Sequence, residues 1–133
     1  MSTNISKKIG EMTFDGLISD VTPKTEVRGK TLRKLSAKAI LVRGTILAMS
    51  SGTAGDGKLV VLGNTAASDE TLTPDCILCD DIELGTTDDA TVAVYTAGCF
   101  DPNKTTVKSG YTVTAADYDT LRKYGIVFKS AQN

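Results

Sequence analysis

From Ala39 onward the chain is written in short β-type runs divided by turn residues, and this punctuation constrains the fold more than any other feature. The runs are AILVRGTILAM at 39–49, KLVVL at 58–62, CILC at 76–79 and TVAVYTAGCF at 91–100. They are too short for core helices and rich in β-branched and apolar residues, so they are expected to be the core strands. SSGTAGDG, between the first two, carries three glycines in eight residues and predicts a hairpin-type loop. Gly63-Asn64 and Thr73-Pro74 punctuate the next connection, which is expected to run over the surface. In the fourth run Val92, Val94 and Thr96 alternate with Ala93, Tyr95 and Ala97, so both faces are partly apolar. That suits a strand in the middle of a small barrel or sandwich.

One helix is specified at both ends, over 115–124. Thr114 is a suitable N-cap, and Asp117 three residues later approximates a capping box beside the positive end of the helix dipole. Arg122 and Lys123 fall in the last turn, Gly125 can take the left-handed position beyond it, and Ile126 is then placed to touch Leu121. Ile126-Val127-Phe128 is short, apolar and β-prone, and is expected to return the chain to the sheet. The fold class is therefore mainly β with one helix on the C-terminal side (α+β), a small barrel-like or sandwich-like domain. With 133 residues, 41% of them hydrophobic, the chain suffices for one core and not for two.

The N-terminal third reads differently. Residues 1–34 show no sustained period, and TPKTEVRGKTLRK at 22–34 is polar and broken by Pro23 and Gly29. This predicts a flexible arm over 1–34 preceding a β domain over 35–133, with little contribution of the arm to the fold. Within the arm, Phe14, Leu17, Ile18 and Val21 form an apolar cluster that a disordered linker does not need. Residues 1–43 carry nine Lys and Arg against four Asp and Glu, whereas 44–133 carry six against twelve. A basic leader thus precedes an acidic body. The alternatives are an ordinary solvated surface and a leader that docks on an acidic surface not its own.

Enzymatic chemistry is poorly supplied. The chain has no histidine, the commonest general base and metal ligand. Cys76, Cys79 and Cys99 form an odd set, expected to be reduced and buried as small apolar residues. Cys76-x-x-Cys79 has the spacing of half a zinc site without a second pair, and in a strand the two side chains point to opposite faces. Asp80-Asp81, Glu83 and Asp88-Asp89 lack the spacing of a calcium loop, and GTAGDG lacks the lysine and the helix of a phosphate loop. No metal and no cofactor are expected. Aromatics make up 5% of the residues, without tryptophan, which argues against a nucleic-acid face. No stretch approaches the roughly 20 apolar residues of a membrane span, and MSTNISKKIGEMTF lacks the apolar core of a secretory signal.

Four segments, taken in order, resemble the phage head decoration proteins related to the lambda head protein. FDGLISDVTPKTEV at 14–27 looks like that family's leader, LVRGTILA at 41–48 like its first strand, TVAVYTAGCFDPNKTTV at 91–107 like its Val-Tyr strand and turn, and DTLRKYGIVFK at 119–129 like its terminal helix and strand. The basic stretch RGKTLRKLSAK and the CILCDD segment depart from the pattern. The resemblance implies a homotrimer without catalysis. Its partner would be the major capsid protein, and it would be made in the host cytoplasm and sit on the outer capsid surface of the virion. It also implies an arm that pairs with capsid strands, for which the candidate contacts are Phe14, Leu17, Ile18, Val21 and Pro23. The runner-up is a free-standing β-barrel that binds carbohydrate or nucleic acid, and a cysteine-dependent enzyme or zinc protein is a third alternative.

Overall fold

The computed structural model describes residues 16–130. Nine strands, one α-helix and a short 3₁₀ turn are present among them: β1 (Ile18–Asp20), β2 (Glu26–Leu32), β3 (Ala39–Leu41), β4 (Ile46–Ser51), β5 (Leu59–Val61), β6 (Thr71–Leu78), β7 (Ile82–Leu84), β8 (Ala90–Phe100), the turn Pro102–Lys104, α1 (Ala115–Lys123) and β9 (Ile126–Phe128). Strands β8, β2, β5, β4 and β6 follow one another in hydrogen-bonded order, and β6 returns to β8, which closes a five-stranded barrel. β1 and β9 add to the far end of β8, β1 antiparallel and β9 parallel, while β3 and β7 form a separate two-stranded sheet.

The expected alternation is realised as two apolar clusters on opposite faces of the strands. Leu32, Leu47, Leu59, Cys76, Leu78, Val92 and Val94, from all five barrel strands, gather with Leu84 of β7 in one. Ile46, Ala48, Val60, Ile77 and Tyr95 gather in the other with Phe100, Leu121 of α1, Ile126 of β9 and Leu17. Neighbouring residues such as Leu47 and Ala48 therefore serve different clusters, because successive strand side chains point to opposite faces. A barrel covered on its second face by a helix can bury both.

The helix forms as its ends specify. Asp117 N–H donates to Thr114 Oγ1 at 3.1 Å and Thr114 N–H donates to the Asp117 carboxylate at 3.0 Å, a reciprocal capping box. Gly125 has φ +99°, and its N–H donates to the Arg122 carbonyl, satisfying an end carbonyl of the helix.

Three expectations need correction. The run 39–49 is two strands in two sheets, because Val42 to Thr45 turns the chain: Thr45 N–H and Oγ1 both donate to the Val42 carbonyl. Gly44 there has φ +95°, and a Cβ on it would lie 2.7 Å from the Lys104 carbonyl oxygen, so the position demands glycine. Pro74 lies inside β6 rather than in a connection; the register shifts at that point, Leu47 facing Cys76 and Ala48 facing Pro74, which is the bulge where a strand tolerates proline.

The third correction concerns the leader. Leu17 is only 1% exposed, and β2 pairs with β8 along its whole length, so the body begins well before residue 35. Three of the leader's nine basic residues meet acids of the body. Lys30 pairs with Asp75 at 2.7 Å, Lys38 with Glu83 at 3.5 Å, and Arg33 with Asp56 at 2.9 Å and Glu70 at 2.6 Å. The body itself is thus an acidic partner for part of this basic stretch.

The Arg33 cluster ties β2 to the β4–β5 loop and to the segment before β6. The Glu70 carboxylate also accepts from Ala67 N–H and from the Ser50 hydroxyl. These bonds, led by the Ala67 amide, hold Glu70 down from 4.5 to about 2, and the Arg33 guanidinium holds Asp56 at about 2. Both folded-state values are depressed, so the stabilisation is present above the unfolded values and is lost as pH falls through the folded ones. Melting temperature should therefore drop between about pH 4.5 and pH 2, and Glu70→Gln should flatten part of that slope. Thermal melts of the two proteins across this range check it; parallel slopes would contradict the assignment.

Candidate interaction surface

The five candidate contacts are separated by the fold. Phe14 lies outside the described residues. Leu17 is a core residue, and its carbonyl accepts from Asp101 N–H at 2.7 Å. Ile18 opens β1 and packs half-buried on the same cluster. Val21 stands out from the turn after β1 at 84% exposure, and Pro23, half-buried, follows a cis Thr22–Pro23 bond. Exposed apolar side chain is thus available at Val21 and not at Leu17.

The polarity of 22–34 hid the more accessible element. Residues Glu26 to Gly29 of β2 are exposed on both faces of the strand. β2 pairs with β8 on one side, while on the other only Leu32 meets β5, opposite Leu59. The outer edge from Glu26 to Thr31 is therefore unpaired by any described strand, and Val27 on it is 55% exposed. Its sequence signal was an apolar residue two places before a glycine in a Thr- and Lys-rich stretch, which reads equally as loop. An open edge of this length can accept a partner strand through main-chain hydrogen bonds.

The remaining chemistry-bearing residues are committed to the interior. Cys76, Cys79 and Cys99 are free and buried, and Cys76 and Cys79 belong to different apolar clusters. Burial pushes the Cys76 thiol well above its ordinary range and the Cys79 thiol up to about 11, so neither supplies thiolate at neutral pH. Arg43 donates to the Cys79 carbonyl at 2.9 Å and to the Tyr95 hydroxyl, with its guanidinium 5.3 Å from the centre of that ring. Among the described residues no group of three or more Cys, Asp or Glu is placed to hold a metal ion. None of the described helices is long and apolar enough to cross a membrane. Replacing all three cysteines by Ala should cost on the order of 1 kcal/mol each, as small cavities. Denaturant melts check the cost, and stoichiometric zinc that is lost upon Cys76→Ser would contradict the packing role.

Around the closed barrel the described residues thus leave open strand edges and exposed valines. The chain belongs to the family described as bacteriophage lambda head decoration protein D, whose family model matches residues 9–126. A search of curated proteins returned no match. Membership makes the chain a phage head decoration protein, a virion component that binds the capsid, in a family whose role is structural.

Proposed function

We propose that the protein is a non-enzymatic cement: made in the host cytoplasm, it adds as a trimer to the outer surface of the expanded major capsid shell and stabilises it against internal DNA pressure. The observation that carries this reading is the unpaired edge of β2 beside Val21 and Val27. There a capsid strand would extend the β2–β8 ribbon while the two valines dock, and the leader through Pro23, Phe14 included, would continue the contact.

Linkage supplies the mechanism. A ligand that binds the expanded lattice and not its precursor stabilises the expanded form by RT ln(1 + [L]/Kd), and several arms on one oligomer raise the effective affinity without new contacts. A trimer also matches a threefold lattice point, since each arm meets an equivalent neighbour.

The test is addition of purified protein to expanded, decoration-free capsids. Saturation at a fixed number of copies per lattice threefold, with a raised capsid melting temperature, is the expected result. Binding to unexpanded shells with equal affinity, or no binding, would overturn the proposal.

A further inference from the structure

The pocket between α1 and β9 has no part in the reading above. It encloses about 340 Å³ and is walled by Pro102, Tyr118, Val127 and Phe128, with the exposed Asp119 and Arg122 beside them. The Tyr118 and Phe128 rings meet edge to face at 4.8 Å. Asp119 and Arg122 pair with each other at 2.8 Å, so the rim offers little unpaired charge and the interior is apolar and aromatic. All four wall residues are half-buried, which leaves a concave apolar face in contact with water.

The leader joins the body beside this pocket. Ile18 pairs with Phe100 and the Leu17 carbonyl accepts from Asp101 N–H, and the same antiparallel register carried two residues further brings Gly16 alongside Pro102. A Cβ on Gly16 would lie 3.4 Å from the Lys104 side chain, so residue 16 rests on the turn that supplies one wall. Phe14 is the first large apolar side chain before Gly16. The two residues between them reach about 7 Å when extended. At the other end of the chain Ala131-Gln132-Asn133 follows β9 with no large apolar side chain to offer.

We infer that Phe14 of the same chain seats in this pocket when the protein is free, its ring completing an aromatic cluster with Tyr118 and Phe128. The contact takes a large apolar side chain and the pocket walls out of water together. Gly16 is a fixed anchor two residues away, so the ring is held at a high effective concentration at the pocket. A seated Phe14 is withheld from the leader's contact with a shell, and the apparent capsid affinity falls by the fraction of time it is unseated. That consequence rests on the capsid reading proposed above; the seat itself does not.

A double-mutant cycle on the full chain tests the seat. Phe14→Ala should destabilise the parent and cost little in a Tyr118→Ala background, a coupling of about fivefold or more in the unfolding constant. Phe14→Ala should also shift the backbone amide NMR signals of Tyr118, Val127 and Phe128 more than those of β4 and β5. Additive costs, or amide shifts that miss the pocket, would overturn the inference. A coupling that fades on dilution would do so too, by assigning the ring to a second copy. With expanded capsids, Tyr118→Ala should bind severalfold more tightly than the parent, because Phe14 is then released. A coupled cycle in which Tyr118→Ala binds no more tightly refutes the competition alone. An additive cycle in a protein that decorates capsids refutes the seat and leaves the capsid reading standing, whereas a coupled cycle in a protein that binds no capsid does the reverse.

Discussion

Leu17→Asp should unfold the protein or leave it barely folded at room temperature. Leu17 is 1% exposed and packs in the cluster that joins the barrel to α1 and β9. Truncation to Ala at such a site costs about 2 to 5 kcal/mol. Aspartate adds the penalty of placing a carboxylate in a predominantly apolar cluster with Ile46, Phe100 and Leu121. Together these approach the whole stability of a domain this size, about 5 to 15 kcal/mol. Any truncation that passes residue 17 should behave in the same way. Circular dichroism with denaturant melts decides it. A Leu17→Asp protein that melted with the parent would show that residue 17 lies outside the core, and the sheet described for β1 would fall with it.

Val21→Asp combined with Val27→Asp should do the opposite, leaving folding intact and removing capsid binding. Both side chains are largely in water, so the folded state of the free protein loses little when they become charged. On the capsid each valine would be buried, a gain of roughly 1.5 to 3 kcal/mol before ordering costs, and aspartate replaces that gain with a desolvation penalty. The loss recurs in every subunit of an oligomer, so the drop in avidity exceeds that of one site. Co-sedimentation with expanded capsids, alongside a thermal melt, separates the two effects. Full decoration by the double variant would place the docking surface elsewhere.

The contrast between these two valines and Leu17 shows where sequence reading reached its limit. Phe14, Leu17, Ile18 and Val21 form one cluster along the chain, yet Leu17 faces the core and Val21 faces water. Nothing in their spacing separates them, because β1 is three residues long and too short to display a period. The polar stretch 22–34 hid β2 for a related reason. Half of that strand is exposed on both faces, so it carries no alternation to read.

The features legible from the sequence alone were those stabilised locally or repeated over enough residues. The capping box and Gly125 define α1 through bonds among near neighbours, and the glycine-rich loop joins β4 and β5 as an antiparallel hairpin. The two-faced apolar pattern of β8 and the burial of all three cysteines were legible for the same reason. Only the tertiary structure decided the rest. That the leader's Arg33 meets Glu70, that Gly44 must clear the Lys104 carbonyl and break one apparent strand into two, and that β6 returns to β8 all depend on residues far apart in sequence brought together by barrel closure. Such contacts leave no period in the chain, because what specifies them is which edges and faces remain unpaired once the local elements have formed.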